Sequence, residues 1–214
     1  MAVEAKICGL ARPGDAAVAV EAGASYLGVV FASGPRTITV PVASEIVAAA
    51  SGIPVFGVFG PQSAEEILRC RDDGGLAGAQ LHGEFDPTLA ARLRGEGMMV
   101  WAVAHLTSPA DCARLTDFAS GTDAVLVEPR VPGQAGGAGV PLGLDLARQA
   151  REALAGRRMV LAGGLRPDSV AAAIAAVTPD VVDVSSGVEV TTGRKDPTLI
   201  RLFLEAVRDD QPFP

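Results

Sequence analysis

The chain has 214 residues, of which 49% are hydrophobic and 20% charged, a balance typical of a folded α/β protein rather than a disordered one. Single α/β barrels run to roughly 200–250 residues, so we expect one domain spanning residues 1–214. The formal net charge of −7 argues against nucleic acid or an anionic membrane as a partner. A phosphorylated small molecule would therefore need a local binding pocket.

No segment has the pattern of a signal peptide or a membrane span. The first ten residues, MAVEAKICGL, contain no basic n-region and no sustained apolar run. The three cysteines, Cys8, Cys70 and Cys112, form no CxxC pair and are odd in number, which indicates reduced thiols rather than a disulfide framework. We therefore expect a soluble, cytoplasmic protein.

Short apolar runs rich in Val, Ile and Leu recur along the chain, each followed by a turn and an Ala-rich stretch with helical spacing. Nearly all of them lack polar alternation, as strands do when helices cover both faces of a parallel sheet. The predicted strands are residues 5–8, 26–31, 54–59, 78–81, 98–103, 124–127, 159–162 and 181–184. Eight strands alternating with helices predict a closed (βα)8 barrel of the α/β class.

Several helix starts carry capping signals. Ser63 and Glu66 form a predicted capping box. A capping side chain before a first-turn proline occurs at Asp86, Ser108 and Asp196. The Gly- and Pro-rich stretch 129–143, after strand six, is too long for a plain connection, so we expect a mobile loop beside the site.

Two candidate acid–base residues end predicted strands, where (βα)8 barrels place their chemistry. Cys8 ends strand one and can act as a base or nucleophile if its pKa is lowered, or be a small buried hydrophobe. Cys70 and Cys112 lie in predicted helices, where a packing role is expected. Glu128 ends strand six, three places from strand one in the ring, so it can face a substrate from the opposite side, or simply cap a loop or pair with Arg130.

Glycine-containing turns follow strands seven and eight. Gly163 and Gly164 close strand seven, and Ser185, Ser186 and Gly187 close strand eight. Barrels commonly hold phosphate at these two places with backbone N–H groups and a short helix. Each turn alone fits an ordinary tight connection, but together they predict a phosphate site.

Further polar side chains near strand ends are candidate substrate ligands. Arg36, after strand two, can pair with a carboxylate or be a solvated loop residue. Gln80 lies in strand four, and His82 just after it either lines the pocket or fixes a neighbouring loop. Asp183, in strand eight, is expected to support Cys8 or the phosphate loop. For His105 we expect a structural role.

Seven short motifs occur in chain order, most of them at or near the predicted strand ends. They are KICG at 6–9, GVF at 57–59, QLHG at 80–83, GGAG at 136–139, AGGL at 162–165, DVSSGVE at 183–189 and GRKD at 193–196. In this order they resemble phosphoribosylanthranilate isomerase nearly end to end. The combination of KICG on strand one with DVSSGVE on strand eight is highly specific for that family.

The resemblance implies an Amadori rearrangement in tryptophan biosynthesis, which converts the phosphorylated aminoaldose on anthranilate into an open-chain aminoketose, with no metal or organic cofactor. It implies that Cys8 removes the C2 proton as general base and that Glu128 protonates the ring oxygen as general acid. Arg36 would meet the anthranilate carboxylate. Phosphate anchoring would fall to Gly163, Gly164, Ser185, Ser186 and Gly187.

The sequence departs from the family pattern around the general acid. The family typically has Asp in a Leu-Leu-Asp run, whereas here Leu126 and Val127 precede Glu128. Glu is longer by roughly 1.5 Å, and a displacement of about 1 Å can cost on the order of a hundredfold in rate. LGL at 142–144 also replaces the usual Phe-Asp-Trp, and Gly-Pro at 60–61 replaces Val-Asn. Substrate identity, more than fold, depends on these changes.

The same residues argue against three other functions. A related barrel isomerase for another phosphosugar, such as the histidine-pathway aminoaldose isomerase, typically has a pair of aspartates at strand ends. Here strand one ends in Cys8, which argues against that function. A metal-dependent pentulose-phosphate epimerase needs strand-end histidines, and the chain has two histidines in all, which also argues against a His-rich metal site. A non-catalytic phosphate-binding barrel has no need of a reactive thiol. The sequence does not distinguish a monomer from a homodimer.

Overall fold

The computed structural model describes residues 2–130 and 141–209, and in it eight parallel strands close into a barrel in chain order. The strands are β1 Glu4–Ile7, β2 Tyr26–Val30, β3 Val55–Phe59, β4 Gly78–Leu81, β5 Met99–Leu106, β6 Ala124–Pro129, β7 Met159–Leu161 and β8 Val181–Val184. The prediction of a (βα)8 barrel is confirmed. The motif at 136–139 and most of the predicted loop 129–143 lie outside the described residues.

Helices follow the strands and cover the outside of the barrel. They are α1 Pro13–Glu21, α2 Val40–Ala49, α3 Ala64–Gly74, α4 Pro87–Gly95, α5 Pro109–Cys112, α6 Leu115–Ala119, α7 Leu144–Ala153, α8 Val170–Val177 and α9 Pro197–Asp209. A 3₁₀ turn, Ser186–Val188, follows β8 and leads into a small antiparallel pair, β9 Glu189–Thr191 and β10 Arg194–Lys195. Within the described ranges no helix is long and apolar enough to cross a membrane.

The predicted helix caps are present, with one difference. Ser63 and Glu66 form the capping box of α3, and the carboxylates of Asp86 and Asp196 accept from first-turn N–H groups of α4 and α9. At the start of α5 the acceptor is Asp111, which receives the backbone N–H of Ser108 at 2.9 Å.

The prediction for strand five was wrong at its carboxyl end. The predicted strand ended at residue 103, whereas β5 continues to Leu106. The strand is longer because β6 runs on to Pro129 and the two strands pair up to that point, with His105 opposite Glu128. A strand's length is set by its partner as well as by its own apolar run. The extension carries His105 to the carboxyl end of the barrel.

The barrel encloses a small core of its own. Side chains two residues apart on a strand point to the same face, and the interior cluster is Phe56, Trp101, Val103, Ala124, Leu126, Val160, Ala162 and Val181. A second, larger cluster lies between strands and helices and includes Ile7 and Val125. Alternation therefore places His105 above Val103 and Glu128 above Leu126, at the mouth of the barrel.

Candidate functional site

Beneath the mouth lies a buried ion pair on β1 and β8. Lys6 is fully buried, and its Nζ donates to Asp183 Oδ1 at 3.0 Å and to Gln80 Oε1 at 2.9 Å. Burial lowers the pKa of Lys6, but the attraction of Asp183 and of the Cys8 sulfur outweighs it and leaves that pKa above its ordinary value. Lys6 is therefore a fixed positive charge inside the barrel, held by two of the predicted ligands.

Cys8 lies directly after β1, two residues along from Lys6. Its thiol is buried, and burial raises the pKa of Cys8 above the ordinary value, although the Lys6 and Lys195 ammonium groups act in the opposite direction. Space for the thiol comes from Gly28 on β2, because a Cβ there would lie 2.8 Å from Cys8 Sγ and 3.0 Å from Lys6 Cε. A glycine inside a strand often marks such a close contact, so Gly28 had a sequence signal that we did not use.

Across the mouth, Glu128 meets both histidines of the chain. Its Oε1 lies 2.8 Å from His82 Nε2 and 3.3 Å from His105 Nδ1. Burial, with a smaller contribution from His82, lowers the pKa of His105 against the attraction of Glu128. His105 thus contacts the residue predicted to be the general acid. The carboxylate is held by the histidines, and no ion pair with Arg130 is found in the described structure.

A second ion cluster joins the loop after β2 to the turn after β8. The guanidinium of Arg36 donates from Nε and Nη2 to the two carboxylate oxygens of Glu189, both at 2.8 Å. Glu189 also accepts from Lys195 Nζ at 2.8 Å, and this buried ammonium reaches the carbonyl of Ser185 at 3.1 Å. Arg36 and Lys195 hold the pKa of Glu189 below its ordinary value although burial raises it.

The two glycine turns predicted to bind phosphate are packed against each other. Gly163 and Gly164 both have positive φ, 94° and 65°, a backbone conformation that glycine adopts without strain. A Cβ on Gly187 would lie 1.9 Å from the carbonyl oxygen of Leu165, so only glycine allows this contact. The structure therefore brings the turns after β7 and β8 together.

The glycine after Cys8, Gly9, lies against both Arg36 and Ser185. Gly9 has φ +71°, and a Cβ there would lie 2.7 Å from Arg36 Cδ and 2.8 Å from Ser185 Oγ. Cys8, Arg36 and Ser185 therefore lie around one point of the mouth. The charged residues that our sequence analysis did not single out, Lys6, Glu189 and Lys195, all lie inside the motifs it quoted.

Comparison with known proteins gives one consistent result. The family model described as "N-(5'phosphoribosyl)anthranilate (PRA) isomerase" matches residues 5–206. N-(5'-phosphoribosyl)anthranilate isomerase of Symbiobacterium thermophilum is 40% identical over 95% of this chain and 97% of its own. The protein of the same name from Citrifermentans bemidjiense is 40% identical over 93% of this chain and 94% of its own.

Solved structures agree with the sequence relatives. Phosphoribosyl anthranilate isomerase from Thermotoga maritima superimposes with a TM-score of 0.87 at 32% identity, covering 97% of this chain and 99% of that one. A phosphoribosyl anthranilate isomerase in complex with reduced 1-(o-carboxyphenylamino)-1-deoxyribulose 5-phosphate superimposes with a TM-score of 0.84 at 31% identity, with the same coverage.

Proposed function

Because the chain belongs to the N-(5'-phosphoribosyl)anthranilate isomerase family and is an isomerase of tryptophan biosynthesis, we propose that Cys8 and Glu128 carry its two proton transfers. The observation behind this proposal is their placement. They follow or end strands that lie three places apart in the ring, and each is buried among polar partners at the same end of the barrel.

In the first step, Glu128 acts as general acid and donates a proton to the furanose ring oxygen. The C1–O bond breaks, and the lone pair of the anilino nitrogen forms a C=N bond to C1. The carboxylate left behind is hydrogen-bonded to His82 Nε2 at 2.8 Å, and His105 Nδ1 lies 3.3 Å from the same oxygen. The longer side chain of Glu, compared with the family's usual Asp, reaches these two rings.

In the second step, the Cys8 thiolate takes the proton from C2. The C–H electron pair forms a C1=C2 double bond, and the C=N pair returns to nitrogen, which gives an enol that tautomerises to the aminoketose. Lys6 stabilises the thiolate because its ammonium group lies beside the sulfur and attracts the negative charge. We place Gln80 and Asp183 behind Lys6, which they hold, as positioning residues.

Substrate binding is assigned to the two ends of the mouth. Glu189 occupies the Nε and Nη2 positions of Arg36, so the opposite edge of the guanidinium is the one that meets the anthranilate carboxylate. The phosphate is assigned to the paired turns, with Gly163, Gly164, Ser185, Ser186 and Gly187. The relative solved with a reduced ribulose 5-phosphate compound supports a phosphorylated ligand.

We also propose that the protein works in the cytoplasm. The three cysteines are free thiols in the structure, which fits a reducing compartment, and the reaction belongs to amino-acid biosynthesis.

The test is the loss of phosphoribosylanthranilate fluorescence in the presence of the purified protein, with the substrate made in situ from anthranilate. We expect turnover by the unmodified chain and by Cys70→Ala, a thiol in α3 away from the mouth. Cys8→Ala should lose at least about a hundredfold in rate, the size expected for removing a general base. Turnover that survives Cys8→Ala would overturn the assignment.

A further inference from the structure

The two histidines and Glu128 form a compact group of metal-ligating atoms. His82 Nε2, His105 Nδ1 and a Glu128 carboxylate oxygen all lie within 4.8 Å of one another. They come from the end of β4, from β5 and from β6, three neighbouring strands of the closed barrel. In the described part of the chain this is the one group of three such side chains that could hold a metal ion.

The spacing fits a tetrahedral ion with little movement. Zinc binds imidazole nitrogen and carboxylate oxygen at about 2.0–2.2 Å, which puts tetrahedral ligand atoms roughly 3.4 Å apart. The two distances to Glu128 Oε1, 2.8 and 3.3 Å, are both somewhat shorter than that separation, and all three ligand atoms lie within 4.8 Å of one another, so the site needs side-chain adjustment rather than a backbone shift. Two histidines and one glutamate are also a ligand set of catalytic zinc sites, which keep a fourth position open.

The charge and the access of the group both favour a cation. The protein as a whole is acidic, with a formal net charge of −7. His82 also lines a cleft of about 540 Å³ between the loops after β3 and β4, and His105 keeps a side-chain exposure of 21%, so an ion has a path from solvent.

We propose that His82, His105 and Glu128 bind one Zn²⁺ ion, or a borderline divalent cation of similar size, at the mouth of the barrel. The ion replaces the direct contacts of Glu128 with the rings and leaves one coordination position to water. Zinc binding depends on these three side chains alone and not on the reaction that the barrel catalyses.

The functional consequence is inhibition, and this part rests on the proposed role of Glu128. A carboxylate bound to Zn²⁺ holds no proton, so it cannot protonate the furanose ring oxygen. Zinc should therefore stop the isomerase reversibly, and a chelator should restore it. The apo protein is the active form.

Binding is measured by titrating ZnCl₂ into the metal-free full chain in a calorimeter, with Co²⁺ as a spectroscopic substitute. We expect one ion per chain and the visible bands of tetrahedral Co²⁺. His105→Ala and Glu128→Gln should each weaken binding about 100-fold or more, because changes even outside the ligand set cost 10–100-fold. His105→Asn serves as a second variant that keeps the size of the side chain if alanine disturbs β5.

Matched controls separate this site from others. Glu84→Gln changes an exposed carboxylate on the loop just after His82 and should leave zinc affinity unchanged. Cys8→Ser removes the thiol at the mouth and should also leave it unchanged. The proposal is overturned if the chain binds no zinc at micromolar concentration, or if binding survives both changes at His105, or if Cys8→Ser abolishes it.

An activity measurement separates the two proposals from each other. Zinc binding by calorimetry together with loss of turnover supports both. Zinc binding with turnover unaffected overturns the acid role of Glu128 but leaves the metal site in place. Turnover without any zinc binding overturns the metal site alone and shows that the histidines serve only to hold Glu128.

Discussion

Lys6 and Asp183 lie opposite each other on β1 and β8, and their side chains form a 3.0 Å ion pair inside the barrel. Lys6 is fully buried and Asp183 nearly so. The pair lies one interior position below Cys8, so the charge that steadies the proposed thiolate is built into the core of the fold rather than into a loop.

Removing one partner of this pair should destabilise the protein strongly. Lys6→Met leaves the Asp183 carboxylate buried without its cation, and breaking a buried pair in this way typically costs about 3–5 kcal/mol. Urea denaturation followed by circular dichroism measures the loss. The double variant Lys6→Met with Asp183→Asn should recover part of it, whereas equal stability of Lys6→Met and the unmodified chain would show that the pair contributes nothing.

The thiolate form of Cys8 should appear only at alkaline pH. Burial raises the pKa of the Cys8 thiol, so less thiolate is present at neutral pH than for an ordinary cysteine. The measurement is the thiolate ultraviolet absorbance, taken as the difference between the unmodified chain and Cys8→Ala, and we expect this difference to keep increasing beyond pH ~8.5, the usual cysteine value. A difference signal that levels off below that pH would contradict this account of the thiol.

A methyl group on Gly28 should damage catalysis more than the fold. The added Cβ would lie 2.8 Å from Cys8 Sγ, so the sulfur must move, and a shift of about 1 Å can cost on the order of a hundredfold in rate. The control is Gly14→Ala in α1, where a Cβ meets nothing within 4 Å. Steady-state kinetics on both variants should show the loss only at Gly28, and full activity of Gly28→Ala would refute the tight fit.

Glu128→Asp should slow this enzyme although Asp is the residue that the family typically uses. The shorter side chain withdraws the carboxylate by roughly 1.5 Å from two histidines that now lie 2.8 and 3.3 Å away. We expect kcat to fall about ten- to a hundredfold with little change in KM. An aspartate variant as fast as the unmodified chain would show that the site is not built around the longer residue.

Much of the fold was predictable because its signals are local. Apolar runs and glycine turns identified the eight strands, and the turns after β7 and β8 pack together. The partners of Glu128 were not predictable, since His82 is 46 positions away and His105 meets it only because β5 lengthens in register with β6. Lys195 shows a different limit: lysines are rarely fully buried, and only the packing of β10 shows that this one is.

Cys8 and Glu128 are proposed to divide the two proton transfers while other groups hold the substrate. The most direct test compares turnover of phosphoribosylanthranilate with the affinity for a reduced product analogue in Cys8→Ala and Glu128→Gln. We predict that each variant loses at least about a hundredfold in kcat and binds the analogue as the unmodified chain does. Turnover retained by either variant, or turnover and analogue binding lost together in both, would contradict the claim.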